Sequence, residues 1–178
     1  MTSPRPWTVT DTRRIIDDRW VHLRADDCRD VLGREIAPYY VLEQAEWVNV
    51  VALTADGRML IVDEYRHGAG EVMPGLPAGA LNPGEEPAVG AARELAEETG
   101  YAGAALIDLG WVWANAGNQN NRAHYFLATD CVRTGEQRLD ASELIDVRRV
   151  PFAEAGAQLR HGLALMGWYK AQDWLATH

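Results

Sequence analysis

Three carboxylates, Glu94, Glu97 and Glu98, fall within five residues, with Arg93 just before them and Gly100 just after. On a helix, Glu94 and Glu98 stand one turn apart on a single face, with Glu97 beside them. Like charges at that spacing are mildly destabilising on an isolated helix. A chain that keeps them usually offsets the repulsion with a cation. Carboxylate oxygens converging on one point suit a hard divalent ion such as Mg²⁺ or Mn²⁺. On composition alone, a solvated, Glu-rich helix face is the competing reading.

The helix that must carry these acids is legible. Pro87 suits a first helical position, where its missing N–H costs nothing. Ala88, Ala91, Ala92, Leu95 and Thr99 recur at three- and four-residue steps, a narrow stripe able to press against a sheet. Gly100 is placed for the left-handed residue that stops a helix. Ahead of it, Gly79 to Gly84 contains Asn82-Pro83-Gly84 and reads as a tight turn. The unit is therefore turn, then helix, with acid on the polar face.

Other segments frame that unit. Residues 8–45 read as extended pieces, among them Trp20 to Asp26, which alternates apolar and polar as a half-buried strand does. Val31 to Arg34 carries a turn, and Ala37 to Leu42 is β-rich. Val48 to Leu53, the Asp56-Gly57 turn and Met59 to Val62 predict a hairpin. Residues 68–78, rich in Gly and Pro, read as loop. Ala105 to Trp113, His124 to Ala128 and Glu143 to Val150 read as strands, with the polar loop Asn115 to Arg122 between the first two. Pro151 opens a helical stretch to about Arg160, and Leu163 to Ala176 is a second one.

Gly79, five residues, Glu85, seven residues, then Arg93-Glu94-Leu95-Ala96-Glu97-Glu98-Thr99-Gly100-Tyr101 matches the Nudix box at every defined position. The chain thus resembles the Nudix hydrolases, which cleave a nucleoside diphosphate linked to a further group. The resemblance runs from about residue 46 to the C-terminus. It implies an α/β fold: an α/β/α sandwich around a mixed central sheet. The preceding strands look like the small antiparallel N-terminal sheet of the ADP-ribose pyrophosphatase-like subgroup. The implied division is 1–45, an extension for dimerisation and part of the substrate pocket, and 46–178, the hydrolase domain.

The resemblance also distributes roles. Glu94 and Glu98 match the metal-binding box positions, Glu97 is a further ligand, and the Ala78 carbonyl matches a main-chain ligand. Glu98, Glu94 and Glu143 are the catalytic candidates, Glu143 as general base or additional metal ligand. Gly79, Glu85, Arg93 and Gly100 are structural in the box, with Glu85 and Arg93 as an ion pair that orients the acidic face. Glu64-Tyr65-Arg66 resembles a Gln-Tyr-Arg element, making Arg66 a phosphate or ribose contact, since its planar fork matches phosphate oxygens. Asn118 and Arg122, in the polar loop, are further substrate candidates. Trp20 aligns with an aromatic that stacks on the base, a contact worth roughly 1–3 kcal/mol. Two positions depart from the pattern: Gly75 stands where Glu is usual, and Ala116 where ADP-ribose enzymes carry proline.

The activity implied is Mg²⁺-dependent (or Mn²⁺-dependent) hydrolysis of ADP-ribose or a related nucleoside diphosphate sugar, giving a nucleoside monophosphate and a sugar phosphate. The alternatives are another nucleotide substrate, a nucleoside triphosphate or dinucleoside polyphosphate, or a nucleotide-sensing module without turnover. A net charge of −9 over 178 residues argues against nucleic acid as partner, there being no basic stripe to neutralise phosphates. Cys28 and Cys131 lack metal-type spacing and read as free thiols of a reducing cytoplasm. No apolar run approaches a membrane span. A cytoplasmic homodimer is the expectation.

Overall fold

Runs that are apolar at every position, rather than at alternate ones, mark strands covered on both faces. The computed structural model describes residues 3–141 and 143–178. In chain order its elements are β1 (Thr8–Asp17), β2 (His22–Arg29), β3 (Glu35–Glu43), β4 (Trp47–Ala52), β5 (Arg58–Arg66), β6 (Glu71–Gly75), β7 (Ala78–Ala80), α1 (Pro87–Thr99), β8 (Tyr101–Ala102), β9 (Ala105–Trp113), β10 (Arg122–Thr129), β11 (Val132–Arg133), β12 (Ile145–Pro151), α2 (Phe152–Ala155) and α3 (Gly162–Thr177). They divide into two compact units. One joins the chain up to Ala45 with Trp113–Asn121; the other holds Glu46–Val112 and Arg122–His178.

In the larger unit, a mixed sheet of order β7-β4-β10-β9 forms the centre, β10 parallel to β4 and β7 antiparallel to it. Side chains alternate across it with period two. Val48, Val50 and Ala52, with Phe126 and Ala128, pack on Ala91 and Leu95 of α1. Val51 and Leu53, with Leu127, pack in the cluster that holds Ala164 and Ala171 of α3. Each fully buried Val or Leu stabilises the fold by about 1.5–3 kcal/mol. This is the α/β/α sandwich that the box implied.

Three local expectations change. The Val48–Leu53 and Met59–Val62 runs do not form a hairpin, although the turn between them does: Thr54 N–H donates to Arg58 O at 2.9 Å. Past one bridge, Leu53 to Met59, the strands part. β4 takes β10 and β7 as partners, while β5 sits between β12 and β6 in a separate antiparallel sheet. Both runs are covered on both faces, so each needs ladder partners and helices of its own. Residues 71–75 are strand rather than loop, paired with β5. Pro74 is tolerated because β6 lies at a sheet edge. The helical stretch after Pro151 is a single turn, ending at Ala155.

The smaller unit is an antiparallel sheet, β1-β2-β3. Trp20 lies in the turn before β2 rather than in a strand. All ten residues of β1 are exposed. The segment Trp113–Asn121 is laced to the end of β3: Leu42 N–H donates to Asn118 O at 2.8 Å, Gln44 N–H to Asn120 Oδ1 at 3.1 Å, and Asn121 Nδ2 to Ala45 O at 2.9 Å.

Candidate active site

Helix α1 positions the acids. Pro87 is its first residue, and Gly100 ends it at φ 74°, donating its N–H to Ala96 O at 2.9 Å. A Cβ at Gly100 would stand 2.4 Å from Gly135 O, so only glycine fits there. The helix buries Ala91, Leu95, Glu98 and Thr99. Glu98 is thus drawn inward by the apolar stripe that packs on the sheet.

Arg93 is the hub of the polar face. Its Nε and Nη2 donate to the two oxygens of Glu85, each at 2.8 Å. Nη1 donates to Glu94 Oε1 at 2.7 Å and Glu97 Oε2 at 3.0 Å, and Nη2 also reaches Ala80 O at 3.1 Å. All five guanidinium N–H groups are thereby engaged. This fork and the Asn82 N–H hold the Glu85 carboxyl down to about 2. Glu85 and Arg93 are thus ion-paired through both carboxylate oxygens.

Glu98 has the opposite environment. It is 4% exposed, and its Oε2 accepts one bond, from Ala78 N–H at 3.0 Å. Burial pushes its carboxyl up to about 8, the Ala78 N–H opposes this, and Glu94, Glu143 and Glu64 add to it. Glu94 is raised by burial against the opposing pull of Arg93, with Glu97 and Glu143 raising it further. Gly79 is pressed against Glu94: a Cβ there would lie 2.2 Å from Glu94 Oε1.

Glu143 closes a tight turn with Asp140. Its N–H donates to Asp140 O at 2.9 Å, and its Oε2 accepts from Asp140 N–H at 3.0 Å. Together Trp47, Gly79, Glu94, Glu97, Glu98 and Glu143, with Arg93, Arg138 and Asp140, line a cavity of about 440 Å³.

The donor set fits a hard divalent cation. Two of its carboxyls are held above their ordinary range by burial and by neighbouring carboxylates, the state that a bound cation relieves. Ala78 and Gly79 bring main chain against the same carboxylates. Among the described residues no three His, Cys, Asp or Glu side chains already converge as a cage. Arg93 instead holds one oxygen each of Glu94 and Glu97 through its Nη1.

Of the four expected substrate residues, Arg66 and Arg122 belong to the larger unit and hold carboxylate partners. Arg66 is ion-paired with Glu64 at 2.8 Å. Arg122 Nε donates to Glu46 at 2.8 Å, and its guanidinium lies 5.1 Å from the Trp111 ring centroid. Trp20 and Asn118 belong to the smaller unit. There Trp20 is 72% exposed under the Arg19 guanidinium, and Asn118 Oδ1 accepts from Asn115 Nδ2 at 2.7 Å. Besides the cavity-lining Trp47, Arg138 and Asp140, two neighbours of Glu98 escaped the sequence reading of the site. Glu64 adds to the field on Glu98, and Gln137 Nε2 donates to Glu98 O at 2.7 Å and Ile145 O at 3.1 Å. The Glu64-Tyr65-Arg66 element held a signal for the first; nothing local marks the second.

Comparison with known proteins agrees with this geometry. Residues 44–170 match the family described as NUDIX domain, and residues 7–42 that described as nucleoside diphosphate sugar hydrolase N-terminal domain. The chain is similar to an ADP-ribose pyrophosphatase of Bacillus subtilis, 35% identical over 61% of this chain. The match spans 59% of that relative's length. It is also similar to an ADP-ribose pyrophosphatase of Mycobacterium tuberculosis, 32% identical over 79% of this chain and 68% of that one. The solved structure of an ADP compounds hydrolase superimposes with a TM-score of 0.88 over 99% of this chain and 98% of that chain. At 19% identity, that likeness speaks to fold alone.

Proposed function

This chain belongs to the Nudix hydrolase family, and from that premise we propose that it hydrolyses the pyrophosphate bond of ADP-ribose or a related nucleoside diphosphate sugar. Water adds to one phosphorus, the bridging P–O bond breaks, and a nucleoside monophosphate and a sugar phosphate leave. The observation that carries the reading is the buried Glu98 carboxyl beside Glu94 and Glu143 at the end of the box helix. A non-catalytic sensor has no need of every one of these acids.

Glu94 and Glu98 would hold the divalent cation, Mg²⁺ in our reading, with Glu97 and the Ala78 carbonyl as further donors. When bound, that ion supplies charge neutralisation at the phosphates and lowers the pKa of a coordinated water. Glu143 is the general base: Asp140 N–H holds one oxygen, and the other is free to take the water's proton. Glu85 keeps Arg93, and through it the acidic face, in register.

The smaller unit serves in dimer formation and in substrate binding, with Trp20 as the base-stacking candidate and Asn118 beside it in role. Arg66 and Arg122 would contact substrate through guanidinium N–H groups not given to Glu64 and Glu46. The dimer reading is supported by exposed apolar side chains along β1, Val9, Ile15 and Ile16. A reducing cytoplasm accords with Cys28 and Cys131, both buried and unpaired. No helix among the described residues is long and apolar enough to cross a membrane.

The test is incubation with Mg²⁺ and a panel of ADP-ribose, nucleoside diphosphate sugars, dinucleoside polyphosphates and nucleoside triphosphates, with products identified by mass. ADP-ribose is expected to give AMP and ribose 5-phosphate. Turnover of triphosphates alone would overturn the substrate assignment.

A further inference from the structure

The cavity at the box helix is lined by five carboxylates, Glu94, Glu97, Glu98, Asp140 and Glu143, against two guanidiniums, Arg93 and Arg138. A nucleoside diphosphate sugar brings more negative charge into that field. Arg93 cannot meet it, because its N–H groups are already spent on Glu85, Glu94, Glu97 and Ala80. Arg138 differs. Among the described residues, no carboxylate lies within ion-pair distance of its guanidinium, whereas Arg133, at the end of β11, is paired with Glu136 at 2.7 Å.

Its main chain is nevertheless fixed. Arg138 N–H donates to Glu97 O at 2.8 Å, Thr134 N–H and Gly135 N–H donate to Gly100 O at 2.8 and 3.1 Å, and Gln137 Nε2 bridges Glu98 O and Ile145 O. The strap 134–138 is thus bolted to the end of the catalytic helix. Arg138 lines the acid-lined cavity and also a neighbouring one with Ala96, Gly100 and Thr134; an arginine on an anchored strap there, with no carboxylate at ion-pair distance among the described residues, is arranged for an anion brought from outside.

We propose that Arg138 is a substrate residue of this site, its guanidinium gripping a phosphate oxygen of the nucleoside diphosphate. The proposal rests on the hydrolase reading above and adds to it a phosphate ligand outside the box. Its consequence is that the carboxylates can stay dense enough for the cation without repelling the substrate.

The test compares wild type, Arg138→Ala, Arg138→Lys and Arg133→Ala. Binding of α,β-methylene-ADP in Mg²⁺ is measured by calorimetry, and turnover of ADP-ribose by steady-state kinetics. Loss of a charge-assisted phosphate contact predicts roughly ten- to a hundredfold weaker binding in Arg138→Ala. KM should rise with it. Arg138→Lys should lie between the two, a point charge without the fork, and Arg133→Ala should stay within about twofold of wild type.

Binding within twofold in Arg138→Ala overturns the proposal. So does equal weakening in Arg133→Ala, which would mark a long-range charge effect. If Arg138→Ala fails to fold, Arg138→Lys decides, and parity with wild type overturns the contact. Wild type that binds the analogue but turns over no nucleotide sinks the hydrolase reading and leaves Arg138 standing. Wild type that does not bind the analogue overturns the contact itself.

Discussion

Helix α1 and strand β1 are of comparable length, thirteen and ten residues, and they satisfy their side chains in opposite ways. The helix buries an apolar stripe on the mixed sheet and ties its acids to Arg93. A neighbouring guanidinium and a neighbouring main-chain N–H thus account for most of its polar face. Strand β1 buries none of its residues and leaves Val9, Ile15 and Ile16 at 42% exposure or more. Its polar residues make surface pairs such as Arg13 with Asp27 at 2.7 Å, worth at most about 1 kcal/mol each. The difference teaches where each element's energy lies. The helix spends its apolar stripe within the chain, whereas β1 leaves its apolar side chains exposed.

The largest way to break that contrast is at the acids. Glu98→Gln should cut Mg²⁺-dependent turnover by about a thousandfold or more with the circular dichroism unchanged, and unchanged turnover would remove the cation site from α1. Glu143→Gln should cost about a hundredfold or more, as loss of a general base does. A fall below about tenfold would move the base elsewhere.

Gly79→Ala comes next. Its new Cβ would fall 2.2 Å from Glu94 Oε1, so overpacking of about 1–3 kcal/mol is expected in denaturant unfolding, with loss of turnover. A stable, active variant would show that Glu94 can turn away freely.

A third effect is on pH. In chelator, the Glu98 carboxyl sits at about 8 in the folded chain against an ordinary 4.5. Between those values the folded state holds a proton that the unfolded state has lost, so stability must fall as pH rises through this window. The thermal midpoint should therefore decline from pH 4.5 to 8, flatten in Glu98→Gln, and recover when Mg²⁺ is added. A midpoint that rises across the window in chelator would contradict the buried acid.

The smallest effect belongs to β1. Ile15→Asp with Val9→Asp should leave the unfolding free energy of the monomer within about 0.5 kcal/mol, while converting a sedimenting dimer to monomer. Wild type sedimenting as a monomer at micromolar concentration would end the dimer reading.

Much of this was legible in the chain, and for local reasons. Pro87 and Gly100 bound α1 because each acts through its own backbone, one lacking an N–H and the other reaching φ 74°. Glu85 and Arg93 pair because two turns of helix and one turn of loop bring them together whatever else folds. The sheet assignments were not legible. The Asp56-Gly57 turn looked like a hairpin turn, but the strands on either side are buried on both faces. Such strands choose partners by distant burial, β4 with β10 and β5 with β12. Pro74 and Gly75 spoke locally for a loop and were overruled by an edge ladder.

The sequence by itself determined a helix of stated ends, three acids on it, and a neighbouring arginine that pairs with two of them. Those facts depend on residues within reach of one another along the chain. Only the tertiary structure decided which acids are buried, how Glu64 and Glu143 enter the same field, that Gln137 bridges Glu98 O and Ile145 O, and that Arg138 lines the cavity. Desolvation and long-range pairing are properties of the packed whole, and no spacing in the chain encodes them.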